Sequence, residues 1–489
     1  MGTTSGQGKT DGRGEGPLAA FAKRPMLKYA GFSLLLAWHY TLWFVPHSFA
    51  LVPLLDDRVT YSWLVNLGST VVFLLLIALA LGRKQRLSNY RWLRIAAPTL
   101  MCVGTLALTL WAVSLPTPLL AYAIAFLLGP AEAALWILWG ERYACVKANF
   151  SIRHIGTVFG ITMIVCMVIA WALPAYASSA FTSLLPLASG ALLIVSQRDG
   201  QRRFPVLLPE QASRSGLKNM AMVSTITFLA SVACYFLVAI IPWEVLPTGD
   251  TSFTIGTLCG GAIMLAIAGV CALSKDRTNV FKLYPWLLVF EIVAFSLFLS
   301  DEAAFFPAFF VALGISALFE ILLIMYFGIL TSKGYTTPAV AFSFSGSFAR
   351  AGIAVGNTLA VSYEHTPELA AAITPETCLA FICVLAALLI PLVRQEYNIV
   401  ALTATPPSKD EIGEIGEICA EVAEEFGLSA REREILLLIA RGYTTNSMAS
   451  KLVISPYTVN THIRHIYDKM QIHKRSELLN YLNMQRSDY

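Results

Sequence analysis

Residues 428–482 read LSAREREILLLIARGYTTNSMASKLVISPYTVNTHIRHIYDKMQIHKRSELLNYL, and the spacing of apolar residues divides this stretch into four short helices. Ser429 followed by Glu432 is a capping box, Ile435, Leu436, Ile439 and Ala440 form a buried stripe, and Gly442 ends the first helix as a left-handed cap. A second helix, about Asn446 to Leu452, packs through Met448, Ala449 and Leu452 and is followed by a tight turn at Val453 and Ile454. The third has the most strongly specified entry, with Ser455 as N-cap and Pro456 at the first helical position. Val459, Ile463, Ile466 and Met470 face inward; Tyr457, Thr458, Asn460, Thr461, Arg464 and Lys469 face outward. A fourth helix near residues 475–482 closes the core. Two helices joined by a tight turn, the second rich in Asn, Thr, Arg and His on one face, have the geometry that lays a recognition helix in the major groove of double-stranded DNA.

Almost everything before this stretch has a different solvent. The chain of 489 residues is 56% hydrophobic and 13% charged, with a mean hydropathy of +0.64, which excludes an ordinary soluble protein and predicts a polytopic one in a lipid bilayer. Stretches long enough to cross about 30 Å of hydrocarbon recur. They fall near residues 29–52, 60–82, 95–115, 118–140, 155–175 and 177–196, then 219–241, 253–273, 283–300, 304–330, 337–361 and 375–393. The expected fold is all-α: a polytopic 12-helix transmembrane bundle in a 6+6 pseudo-repeat, followed by a small four-helix helix-turn-helix domain.

Charge placement gives the orientation. With a cytoplasmic Gly-rich tail at 1–28 and a retained first span, the inside segments carry Lys9, Arg13, Lys23, Arg24 and Lys28, then Arg83, Lys84, Arg86, Arg91 and Arg94. They continue with Arg142, Lys147 and Arg153, the run Arg198, Arg202, Arg203, Arg214 and Lys218, then Lys275, Arg277, Lys282 and Lys333, whereas the outside loops carry only Arg58. This positive-inside asymmetry predicts a multi-pass membrane protein with both termini cytoplasmic.

The halves hint at duplication. Glu132 precedes Gly140 as Glu320 precedes Gly328, both at an offset of 188 residues, and Arg153 with Gly156 and Gly160 parallels Arg350 with Gly352 and Gly356. With the basic central loop, the layout resembles the major facilitator superfamily in topology, although LGRKQRLSNYR after the second span lacks the acid of that family's loop signature. Ionisable groups within spans are costly and mark functional sites by default. Glu132, Glu320 and Arg350 are the ligand-binding candidates, with Arg350 expected to pair with Glu320 and Glu132 to face it across the bundle. Glu291 is a weaker candidate, and Trp38, Tyr40, Trp43, Phe44, Trp136 and Trp139 either line an apolar pocket or serve packing and the interfacial belt.

Beyond the twelve-span domain at 29–394, residues 395–409 contain a Pro-Pro pair and read as a linker. Residues 410–427 form an acidic amphipathic helix: seven acids and no base lie between 410 and 426, and Ile412, Ile415, Ile418, Val422 and Phe426 recur at steps of three or four. Its apolar face needs a partner, which is the 428–489 domain, a second copy or the membrane body. One arrangement has this helix covering the recognition face in a silent state.

Several fixed points in one register identify the C-terminal stretch with a family. LSAREREIL, Gly442, Ala449, Leu452, ISPYTVNTHIRHIYDKM and residues 475–478 resemble the LuxR-type (FixJ or NarL-like) helix-turn-helix of bacterial transcription regulators. Ser447 stands where many members have Glu, and Asn460 where Lys is usual. The resemblance implies that Asn460, Thr461 and Arg464 reach base edges, as their shared face and side-chain chemistry allow. Tyr457, Thr458, Lys469, Lys474 and Arg475 are then the phosphate contacts. Nine Lys or Arg against five Asp or Glu in residues 428–489 give a modest basic excess.

No catalytic motif, phosphate-binding Gly-Lys loop or receiver-domain pattern is legible, so neither an enzyme nor a cofactor is expected. Nine cysteines show no disulfide or zinc spacing. His462, His465 and His473 lack a thiol or carboxylate at ligand spacing, so no metal site is expected. The reading is a membrane-embedded one-component regulator of a bacterial inner membrane, sensing a signal or a small molecule of unknown identity through its spans and binding promoter DNA, with a homodimer on DNA left open. The alternative is a secondary transporter carrying a regulatory DNA-binding domain.

Overall fold

The computed structural model describes residues 30–54, 56–81, 86–145, 148–197, 210–241, 251–273, 280–364, 367–403, 409–440, 442–475, 477–479 and 481–482. Twelve helices come first: α1 Ala30–Phe44, α2 Asp57–Leu81, α3 Leu93–Leu110, α4 Leu119–Ala144, α5 Ala148–Ala172 and α6 Ala175–Gln197. The second set is α7 Glu210–Ile240, α8 Thr251–Leu273, α9 Tyr284–Ser300, α10 Phe305–Ser332, α11 Pro338–Glu364 and α12 Pro367–Thr403. Each overlaps one expected span. Ten helices among the described residues are long and apolar enough to cross a membrane, and Gly156–Ala172 is a shorter apolar one.

The bundle buries its middle and leaves an apolar outside. In α4 every residue from 131 to 141 is buried, and in α10 every residue from 312 to 331. Helices apolar on all sides belong in such a centre. Leu79, Ile95, Leu119, Trp286 and Ile390 are well exposed, as hydrocarbon-facing side chains are. The two sixes meet where α2 lies against α11 and α5 against α8. The glycine repeat does not map onto equivalent contacts. A Cβ at Gly352 or Gly356 would collide with the carbonyl oxygens of Phe228 and Val232 on α7, within the second half, whereas Gly160 admits Leu265 of α8, across the halves.

Helix α12 continues to Thr403, so the linker expected at 395–409 is shorter than its composition suggested. Residues 395–403 contain no Gly or Pro to stop a helix. The N-terminal tail, most of the central basic loop and the Pro-Pro pair lie outside the described residues.

The C-terminal part comprises α13 Lys409–Glu425, α14 Ala430–Ala440, α15 Thr445–Leu452 and α16 Pro456–Met470, with residues 475–482 helical where described. Its core is separate from that of the bundle and contains Ile418, Cys419 and Val422 of α13 with Ile435, Leu436, Met448, Val459, Ile466 and Leu478. Each of the larger apolar side chains contributes roughly 1.5–3 kcal/mol by burial. The acidic helix therefore has its partner: its apolar face completes this core. The side chains of Ile412 and Ile415 lie outside the described residues.

Candidate functional site

Helix α16, expected from the sequence to be the recognition helix, is positioned by caps. Glu432 accepts from the Ser429 amide at 2.7 Å while the Ser429 hydroxyl accepts from the Glu432 amide at 3.3 Å, closing the capping box. Gly442 sits at φ 78 beyond α14, as its position required. Thr444, one residue earlier than expected for the start of α15, caps it by accepting from the Ser447 amide at 3.3 Å. The turn into α16 is made by Val453 at φ 55, a left-handed conformation unusual for a β-branched residue. Ser455 then caps α16, accepting from the Thr458 amide at 3.0 Å, with Pro456 at the start.

These caps fix which face is free. Val459, Ile466 and Met470 are buried, Ile463 is half-buried against them, and Tyr457, Asn460 and Arg464 are exposed. Residues 457, 460, 461 and 464 are spaced to share one face. Thr461 is half-buried and its hydroxyl donates to the Tyr457 carbonyl at 3.1 Å. Thr458 shares a 2.8 Å hydroxyl contact with Ser455. Lys474 is exposed. Two of the expected phosphate contacts are engaged inside the domain. Lys469 donates to Glu432 Oε2 at 2.7 Å and to the Gly427 carbonyl at 3.0 Å, and Arg475 donates to the Tyr443 carbonyl at 2.6 Å and the Ile439 carbonyl at 3.3 Å. Because α13 packs into the core, the exposed face of α16 is not covered by it.

Glu432 is the hub that the sequence did not announce. Burial opposes its charge, yet the Lys469 ammonium and the Ser429 amide and hydroxyl hold its carboxyl down to about 2. Its Oε1 lies 3.7 Å from His465 Nδ1, and ligand atoms of Glu432, His462 and His465 gather within 4.8 Å. A carboxylate does reach the histidine pair, contrary to the spacing argument, because the fold joins residues thirty positions apart. The Lys469 ammonium on the same carboxylate already occupies the place of a cation.

In the bundle, Glu132, Glu320 and Arg350 come together. Arg350 donates to Glu132 Oε1 through Nη2 at 2.8 Å and Nε at 3.2 Å, and to Glu320 Oε1 through Nη1 at 3.2 Å. Glu132, expected to stand across from the pair, is thus the nearer partner. The remaining oxygens are also served: Thr70 of α2 donates to Glu132 Oε2 at 3.0 Å and Tyr40 of α1 to Glu320 Oε2 at 2.9 Å. The guanidinium stacks over Trp136 at 4.2 Å from the ring centroid. Five helices of both halves, α1, α2, α4, α10 and α11, contribute to one buried charge cluster.

Of the aromatic residues singled out by sequence, Trp38 and Trp139 are packing residues whose indoles donate to Thr105 and Ser189 at 3.0 and 2.9 Å. Trp136 donates to the Phe342 carbonyl at 2.9 Å, Trp43 is buried with no indole partner among the described residues, and Phe44 packs edge-on against Trp63. Glu291 on α9 is fully buried beside Cys234, with neither carboxylate oxygen partnered among the described residues. Asn66 and Trp63, which sequence reasoning passed over, lie on the face of α2 that carries Thr70.

Residues 427–482 match the family of bacterial regulatory proteins, luxR family. The probable transcriptional regulatory protein NarL of Mycobacterium tuberculosis (strain H37Rv) is 42% identical over 64 residues, covering 13% of this chain and 29% of that protein. The oxygen regulatory protein NreC of Staphylococcus carnosus is 46% identical over 54 residues, 11% of this chain and 25% of that protein. The chain thus spans less than a third of the curated relatives it matches. Among solved structures, the human organic anion transporter MFSD10 (TETRAN) aligns with a TM-score of 0.48 at 13% identity over 78% of this chain and 100% of that one. The E. coli fucose:proton symporter FucP aligns at 0.47 and 14%, over 77% and 99%. At its C-terminal end the chain carries a DNA-binding helix-turn-helix domain of the luxR family, preceded by a bundle of apolar helices of membrane-spanning length.

Proposed function

We propose that the chain is a membrane-embedded one-component transcriptional regulator of a bacterial cytoplasmic membrane: the bundle senses a small molecule, and the cytoplasmic C-terminal domain binds promoter DNA, two copies to an operator. The observation that carries this reading is the union in one chain of a capped recognition helix with a free polar face and a bundle holding a charge cluster at the junction of its halves. The charge asymmetry of the loops supports cytoplasmic termini.

Asn460, Thr461 and Arg464 read base edges, Arg464 by bidentate contact with guanine. Tyr457, Thr458 and Lys474 hold phosphates, while Lys469 and Arg475 act by keeping the helix in place. Glu132, Glu320 and Arg350 form the sensing site, and a ligand acts by its different affinity for two arrangements of the halves.

Occupied promoters identified by chromatin immunoprecipitation supply the operator. On that operator Arg464→Ala is expected to cost about 1–3 kcal/mol of sequence-specific binding while leaving non-specific binding and membrane insertion intact. Unchanged specificity overturns the assignment of α16. The arrangement of the charge cluster between two halves also suits alternating access, so a secondary transporter with a regulatory domain is the second reading. Saturable vesicle uptake that survives removal of residues 410–489 favours it.

A further inference from the structure

We infer that the bundle binds a small organic cation, an amine bearing an apolar or aromatic body, beside Asn66 at the Glu132–Arg350–Glu320 cluster. This deepens the sensor reading and rests on it. Three observations lead there.

The first is the charge balance. All four carboxylate oxygens of Glu132 and Glu320 accept hydrogen bonds, from Arg350, Thr70 and Tyr40, which is the pattern of two ionised acids. Arg350 supplies one positive charge against two negative ones. The other titratable groups facing the cluster are Tyr40, Tyr235 and His39, and His39 Nδ1, 3.6 Å from Glu132 Oε1, is the group there that supplies a second positive charge when protonated. With His39 neutral, the two acids outweigh Arg350 by one negative charge, and that excess at hydrocarbon depth calls for a cation and repels an anion.

The second is a set of buried groups left without partners. Asn66 is fully buried, and neither its amide oxygen nor its nitrogen has a partner among the described residues. It lies one turn from Thr70, which binds Glu132, and next to Trp63 on the same helical face, whose indole N–H is likewise unpartnered. Ser347, three residues before Arg350 on α11, is buried with a free hydroxyl among the described residues. Buried polar groups are normally satisfied, and these exceptions lie within two turns of Thr70 on α2 and one turn of Arg350 on α11, where a bound ligand would satisfy them.

The third is the surface beside it. Trp63 packs at 5.5 Å from Phe44 and 5.9 Å from Tyr235, and Phe44 at 5.6 Å from Tyr40. These rings come from α1, α2 and α7, and their faces attract a cation as well as an apolar body. The ammonium would take the free Asn66 oxygen and the field of the two acids, with the body against the rings.

The test uses the full chain in nanodiscs and three probes of one shape and different charge: phenethylamine, 2-phenylethanol and phenylacetate, titrated calorimetrically. The amine is expected to bind about tenfold or more tightly than either of the others. Asn66→Leu, which removes an amide with no internal partner and so spares the fold, is expected to weaken it by a similar factor, as is Glu320→Gln. Tighter binding of the anion or the alcohol, or no difference among the three, overturns the assignment. The sensor reading is scored separately by a promoter reporter. Reporter output altered by Glu132→Gln without charge discrimination among the probes removes the ligand class and keeps the sensor. Amine binding without any change in operator occupancy confirms the site and removes the sensor.

Discussion

Two lysines on the DNA-binding domain look interchangeable in the sequence and differ in the fold. Lys474 is exposed, whereas the Lys469 ammonium is 2.7 Å from Glu432. Lys474→Ala is expected to weaken binding to all DNA sequences alike and to reduce the salt slope by about one. Lys469→Ala is expected to leave that slope nearly unchanged and to cost about 1–3 kcal/mol of domain stability, because it strips a buried carboxylate of a partner. Its own exposure, 39%, puts the value at the low end. Titrating affinity against salt beside denaturant unfolding separates the two. Glu432 itself makes a pH prediction. Its folded carboxyl is held at about 2 against an ordinary 4.5, so its contribution is complete above pH 4.5 and is lost as the pH falls towards 2. Unfolding of a 409–489 fragment, which has its own core, should lose stability through that window, and Glu432→Gln should remove that component of the loss. Equal slopes in the two proteins would refute the ion pair. None of this was legible in the sequence, where the capping box accounts for Glu432 completely. Its second partner is 37 residues away, and local spacing carries no information about it.

At the scale of elements the sequence was far more informative, because a helix in lipid must be long and apolar and a capped helix must show its caps. Twelve expected spans have twelve helices, and Ser429, Gly442, Ser455 and Pro456 stand where their chemistry put them. The linker departs from its composition: small polar residues and the Pro-Pro pair suggest one irregular unit, while residues 395–403 extend α12. The acidic helix showed its amphipathic period but not its partner, since three faces could have met that need. With Ile418, Cys419 and Val422 inside the C-terminal core, α13 is a structural member of the domain, not a cover over α16. Ile418→Ala is expected to destabilise that core by about 2–5 kcal/mol. Deletion of residues 410–426 is expected to lower operator affinity through partial unfolding, followed by fluorescence anisotropy on operator DNA. A rise in affinity would instead restore α13 as an inhibitory cover.

The whole molecule poses the question of how two cores communicate. Each half of the bundle contributes an acid to Arg350, Glu132 from α4 and Glu320 from α10, and each acid lies in an unbroken buried run of its helix, 131–141 and 312–331. The internal repeat made both acids visible in the sequence, but pairing Arg350 with its neighbour in the same half missed the closer contact across the halves. That contact matters because a charge shared between two bodies is sensitive to their relative position. Removing one partner of a buried pair costs about 3–5 kcal/mol when the other charge is stranded. Here Glu132→Gln keeps the shape and a hydrogen-bond acceptor, and Arg350 retains Glu320, so the bundle is expected to fold while the link between halves weakens. If the halves move between a DNA-competent and a silent arrangement, this loss shifts their balance by the 1–3 kcal/mol typical of coupled sites, a change of about 5- to 150-fold in the equilibrium. Promoter-reporter output in cells carrying Glu132→Gln should therefore depart from wild type without ligand, at equal protein abundance in the membrane. Leu79→Ala, on an exposed apolar position of α2 in the same bundle, should not. Output identical to wild type with the pair removed would mean that the two cores share a chain and not a signal.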